Sequence, residues 1–159
     1  MKFAALVCVI ALLGAGETSP PPPGPPEAVK VDVVVVHAFS ENRGARVFDR
    51  ELQPLKEALA DLDYDTFKQL STTTLRAEWN REATYQVNSR YKLCVKPLSR
   101  EESGQVRLSV RVEMRAKAPD AKPVNAVATT LLISPEKKLK VRGLKLDNGE
   151  LVMVLMLRT

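Results

Sequence analysis

The side chains able to do chemistry in this chain are few, and each sits in a context that narrows its use. His37 is the one imidazole, so nucleophilic catalysis would need it as base, beside a nucleophile and an orienting group. It ends the apolar run Val33-Val34-Val35-Val36, a setting that points to a satisfied, structural histidine near a sheet edge. Zinc sites draw on several His and Cys ligands. With one histidine and two cysteines, Cys8 and Cys94, no metal is expected. Asp61, Asp63 and Asp65 have the alternate spacing that opens a calcium loop. Thr66, however, stands where that loop turns sharply on glycine, and Thr72 where it needs a bidentate glutamate. The cluster reads as a solvated turn. The seven glycines never gather into a phosphate-binding loop, so nucleotide chemistry has no support and no cofactor is expected.

Two features remain. Arg107, Arg111 and Arg115 recur every four residues in a strictly alternating stretch, which puts them on one strand face beside Lys92 and Lys96 of a neighbouring strand. Such a face can hold an anionic envelope polymer by charge, or it can serve only solubility and discourage edge pairing. Few aromatics accompany it, so no specific recognition of nucleic-acid bases is expected. Cys94 shares that face, and flanking ammonium groups from Lys92 and Lys96 would favour its thiolate. An unpaired thiol in an exported protein suggests an intermolecular disulfide, giving a homodimer or a mixed disulfide with a protein partner. The competing reading is a buried cysteine acting as a small hydrophobe.

The elements that must position these groups follow from periodicity. Val29–Phe39 is apolar on both faces, the mark of a central, doubly covered strand. Phe48, Leu52, Leu55, Leu59 and Leu62 follow helical spacing, and Pro54 places the start of a regular helix near Gln53 after a looser turn at Asp49–Leu52. Strands are then expected at Phe67–Trp79, Tyr85–Val87, Tyr91–Leu98, Gln105–Arg115, Val124–Ile133, Leu139–Leu146 and Glu150–Leu157. In Gln105–Arg115 the residues Val106, Leu108, Val110, Val112 and Met114 point inward and the arginines outward, so one face is wet. Asp147-Asn148-Gly149 signals the last hairpin. The expected fold class is α+β: one amphipathic helix packed on a mainly antiparallel sheet, with a partly closed barrel and a small sandwich both fitting the pattern.

The chain opens with Lys2, an apolar run of 11 residues from Phe3 to Leu13, and the small residues Gly14-Ala15-Gly16. That is the layout of a cleavable secretory signal at residues 1–16, and the run is too short to cross a bilayer, which takes roughly 20 residues. Residues 17–28, with Pro20-Pro21-Pro22-Pro23-Gly24-Pro25-Pro26, read as an extended, disordered linker, leaving residues 29–159 as a single domain with no transmembrane helix. Loss of Lys2 with the signal takes the formal charge from +5 to +4, mildly basic and compatible with an anionic partner. The expected location is exported, periplasmic or extracellular.

The exported start, the strand through Val36-His37-Ala38, Leu52-Gln53-Pro54-Leu55, the Tyr64–Leu70 segment and the hairpin at Asp147-Asn148-Gly149 together resemble small exported proteins of bacteria such as planctomycetes and myxobacteria. The resemblance implies an exported single domain without known activity and carries over no functional residue. The functional expectation is an exported, non-catalytic binding or envelope-assembly module. Its alternative is a small extracytoplasmic hydrolase.

Overall fold

The computed structural model describes residues 28–158 other than 43, 117 and 119; the expected signal, and the expected linker up to residue 27, lie outside the described residues. Among the described residues nine strands form, β1 (Val29–Phe39), β2 (Val47–Phe48), β3 (Thr66–Ala77), β4 (Ala83–Gln86), β5 (Tyr91–Arg100), β6 (Val106–Met114), β7 (Val124–Ile133), β8 (Lys138–Leu146) and β9 (Gly149–Arg158). They make two sheets, a five-stranded one in the order β2-β3-β1-β9-β8 and a four-stranded one in the order β4-β5-β6-β7. All pairings are antiparallel except β2 with β3.

The doubly apolar strands take the places that need two covers. β1 lies at the centre of the five-stranded sheet with β9 beside it, Val33 opposite Leu155 and Val35 opposite Met153. Alternate residues of both strands then face two separate cores. Val31, Val33, Val35, Leu151, Met153 and Leu155 meet Leu93, Val95, Leu108, Val110 and Val112 of the four-stranded sheet, all buried. On the opposite face Val34, Val36, Ala38, Val152 and Val154 pack under Leu52, Leu55, Leu59 and Leu62. Burying two such layers removes enough apolar surface to drive folding without a disulfide.

The helical face is the expected one and the looser entry is present, but the regular α-helix is shorter and starts later than Gln53. The segment is a 3-10 turn at Arg50–Leu55 continued by one α turn at Lys56–Leu59 (α1). Pro54 lies inside it, where its missing N–H removes an i→i−4 bond and favours the tighter winding. Ten helical residues against nine strands correct the α+β expectation: the architecture is mainly β and sandwich-like, not a closed barrel, with the helix covering one outer face. The two-residue β2, parallel to β3 through Val47 opposite Thr66, was not expected and makes the five-stranded sheet mixed within a mainly antiparallel arrangement.

The strand β6 alternates as its sequence dictates. Val106, Leu108, Val110 and Val112 are buried, while Arg107 and Arg115 just beyond the strand are exposed and Arg111 and Glu113 half-buried. Pro97 lies in β5 beyond the stretch that β4 pairs, Gln86–Ala83 opposite Lys92–Val95, so its missing N–H leaves no ladder partner wanting. No helix among the described residues is long and apolar enough to cross a membrane.

Candidate functional site

The outer face of the four-stranded sheet carries all five basic residues marked by the sequence, and the structure sorts them. Lys92 lies opposite Glu113 and Cys94 opposite Arg111 in the β5–β6 register. Arg111 is bound to two carboxylates, 2.8 Å to Glu82 and 3.2 Å to Glu113. Arg107 pairs with Glu101 at 3.2 Å. At about 3.4 Å per residue, Arg107 is roughly 27 Å along the strand from Arg115. Lys96 and Arg115 form no ion pair among the described residues, and neither does Arg90, which the sequence reading did not single out.

Lys92, Arg115 and Arg90 meet at one end of this face. They line a recess of about 430 Å³ together with Gln86, Ser89 and Glu113, and Pro123 also borders it. The recess is built on a rigid turn between β4 and β5. Asn88 Oδ1 accepts the N–H groups of Arg90 and Tyr91, at 2.9 and 2.8 Å. Gln86 Nε2 donates to the carbonyls of Asn88 and Tyr91, at 2.6 and 3.2 Å. The Arg115 N–H donates to the Arg90 carbonyl at 2.8 Å, fastening the end of β6 to the same turn. The Arg90 guanidinium lies over the Tyr91 ring, 5.4 Å from its centroid. That ring is itself fixed, since its hydroxyl donates to the Lys145 carbonyl across the sandwich at 3.1 Å. Arg90 therefore stands on a fixed aromatic platform, which lowers the entropy it must lose on binding.

Among the described residues the recess holds three cations and one carboxylate. Glu113 is already saturated: Lys92 Nζ sits 2.6 Å from it and Arg111 3.2 Å. The hydrogen bond from Lys92, backed by the charges of Lys92 and Arg111, holds the Glu113 carboxyl below its ordinary 4.5. The same bond raises Lys92 above its ordinary 10.5. A carboxylate with a depressed folded pKa contributes stability above its unfolded value, lost as the pH falls through the folded one. The melting-temperature advantage of the wild type over Glu113→Gln is therefore expected at neutral pH and to vanish once the pH drops below the folded value, under 4.5. Thermal melts of both proteins from pH 7 to pH 3 check this, and a constant difference would show that the pair contributes nothing.

Of the two readings open for Cys94, the structure favours the buried small hydrophobe. The residue lies on the face shared with Lys92 and Lys96, as alternation required, but it is buried, at 1% exposure. Burial pushes the thiol up, as do the Glu82 and Glu113 carboxylates, and the nearby Arg111 and Lys92 do not reverse this. The exposed, acidified thiol read from the sequence is absent because the Lys92–Glu113–Arg111–Glu82 lattice covers it and its carboxylates cancel the cations. Burial gives the proposed intermolecular disulfide at Cys94 no support.

His37 stacks on Phe39 with ring centroids 4.5 Å apart. Its Nε2 is buried with no hydrogen-bond partner among the described residues, so this histidine is not satisfied as expected. A second recess, about 520 Å³, lies at the β8–β9 hairpin and contains the buried Glu150. Glu150 Oε1 accepts the Gly143 N–H at 2.6 Å and faces Arg142 Nε at 3.4 Å. Gly143 sits at φ +84° where the β8–β9 register shifts, and burial together with Glu150 raises the Tyr64 phenol above its ordinary 10.0. This carboxylate is occupied in bracing a β-bulge. No group of three or more His, Cys, Asp or Glu able to hold a metal occurs among the described residues.

The turn at residues 86–91, with Arg90 on Tyr91 and Arg115 beside it, is thus the strongest candidate binding site. No family model, curated protein or solved structure matches the chain, and the functional reading is carried by this geometry alone.

Proposed function

We propose that this protein is an exported, non-catalytic binding module whose ligand is an anionic polymer of the cell envelope, gripped by its phosphate, sulfate or carboxylate groups in the recess at the β4–β5 turn. The observation that carries the reading is the convergence of Arg90, Lys92 and Arg115 on one recess whose only acidic member among the described residues, Glu113, is neutralised from two sides. Left without an anion, the guanidiniums of Arg90 and Arg115 repel each other across the recess. An anion relieves that repulsion and gains charge-assisted hydrogen bonds. At about 430 Å³ the recess takes one or two units of a charged polymer. It has too few exposed aromatics for stacking on bases. The alternative of a small extracytoplasmic hydrolase gains nothing from His37, whose buried Nε2 reaches no nucleophile among the described residues.

Two or three cation–anion contacts fix the expected salt response. Binding of a heparin oligosaccharide, used as a model polyanion, should weaken roughly tenfold to thirtyfold between 50 and 200 mM salt, following counterion release. Calorimetry at several salt concentrations checks this. Salt-independent binding, or equal binding of an uncharged dextran, would contradict the reading.

A further inference from the structure

Of the four sheet edges, three carry the features that keep an edge from pairing with another chain. The strand β2 covers only Thr66 and Phe67 of β3, and the remainder of that edge carries Lys68 and Arg76, while β4 has four residues. The strand β8 bears Lys138, Lys140, Arg142 and Lys145, and its ladder is broken at Gly143. Short length, lysines and bulges are the usual protections of an exposed edge. The fourth edge, β7, has none of these over most of its length. It is ten residues long, Val-Asn-Ala-Val-Ala-Thr-Thr-Leu-Leu-Ile, with no ionisable group, proline or glycine. The one irregularity lies near its start, where the register slips between Val112 and Glu113 of β6, and Val127–Ile133 pairs regularly after it. Its outer edge has no strand partner among the described residues. Val124 and Leu132 are 55% and 45% exposed, among the few large apolar residues left open to solvent.

We infer that β7 pairs antiparallel with β7 of a second copy of this chain about a two-fold axis through Thr129, joining two four-stranded sheets into one of eight. Charge selects this occupant. A strand that pairs with itself faces its own side chains, so any charge on it meets the same charge, which destabilises the pair. In a chain that is 27% charged, the only long edge among the described residues with no charged residue is the one able to face itself. Side chains agree with the two-fold, which must bring inward-facing residues opposite inward-facing ones. In the register centred on Thr129, the half-buried Val127 meets Leu131 of the partner copy on the inner face. Ala128 meets Thr130 of the partner copy on the outer face. Each inner pair covers apolar surface that β7 leaves partly open at the sandwich edge. Such an axis also sets both outer faces on the same side of the joined sheet. For the polyanion binding proposed above, and resting on that reading, the dimer would then offer two recesses to one polymer.

The test is sedimentation equilibrium of the full chain without ligand, so that its outcome is independent of polyanion binding. A monomer–dimer equilibrium is expected for the wild type, and the amides of Val127–Leu131 should exchange more slowly as protein concentration rises. Thr129→Lys should weaken association by at least about tenfold, because its two copies oppose each other across the axis. Thr129→Val should keep it. Thr129 is exposed, so both variants should melt near the wild type; were one misfolded, the concentration dependence of wild-type exchange would still decide. A wild type monomeric at all concentrations, a dimer unaffected by Thr129→Lys, or β7 exchange independent of concentration would overturn the proposal. Concentration-independent exchange combined with capture of an unrelated extended peptide by β7 would overturn it in favour of a different occupant.

Discussion

Gly149→Ala is expected to destabilise the domain by about 3 kcal/mol or more, the upper end of what overpacking costs. Gly149 opens β9 directly opposite Phe39 at the end of β1. A Cβ added there would stand 2.2 Å from the Ala38 carbonyl oxygen and 2.8 Å from Phe39 Cβ. The first obstacle is backbone of the central strand, which cannot swing aside as a side chain can. Relief therefore requires β1 and β9 to separate where both cores meet the hairpin. For a domain of this size about 3 kcal/mol corresponds to a fall in melting temperature of roughly 10 °C. Gly104→Ala is the informative comparison. Gly104 has φ +80° with nothing within 4 Å of the added carbon, so only backbone strain of about 1 kcal/mol is expected. Equal losses in the two variants would show that the approach of β9 to β1 is not limiting.

The double replacement Arg90→Ser and Arg115→Ser is expected to weaken binding of a heparin oligosaccharide by at least about thirtyfold, about 2 kcal/mol, since each guanidinium supplies a charge-assisted contact. Stability should change little, because Arg90 and Arg115 are exposed and form no ion pair among the described residues. Arg107→Ser removes the same charge roughly 27 Å away along β6, where Glu101 already compensates it. Its effect should stay within about twofold at moderate salt, because a charge that far off is screened. Equal losses from Arg107→Ser and from the recess variants would mean that net charge, and not the recess, sets affinity.

Much of this fold is written in local periodicity. Two-sided hydrophobicity identified β1 and β9 as interior neighbours, and they pair along their whole length. The spacing of Leu52, Leu55, Leu59 and Leu62 gave the buried helical face. What the pattern could not carry is the long-range part. The division into two sheets depends on which strands β3 and β4 pair with, over sequence separations that alternation does not encode. The extent of the helix was set by Pro54 and by how much of the sheet remained to be covered.

The site shows the same limit. Alternation placed Lys92, Lys96, Arg107, Arg111 and Arg115 on one face, but the carboxylates that neutralise two of them come from loops. Glu82 reaches Arg111 from 29 positions away, and Glu101 reaches Arg107 from the β5–β6 turn. Arg90 escaped notice because it lies in the Asn88-Ser89-Arg90 turn, outside any strand period. Its signal was the asparagine two residues before it, a residue type that folds turns by accepting backbone N–H groups. Cys94 was assigned to the correct face, but alternation left its environment open between an exposed thiol and a buried one, because a strand face can be buried by ion pairs as well as by apolar side chains.

The most direct measurement of the central claim is a map of backbone amide shifts in the folded domain as a heparin oligosaccharide is added. Saturable shifts confined to Gln86–Lys92, Glu113–Arg115 and the residues next to Pro123, and lost in the Arg90→Ser and Arg115→Ser variant, are the predicted result. Shifts spread along Arg107, Ser109 and Arg111, or centred on the Glu150 hairpin, would contradict it.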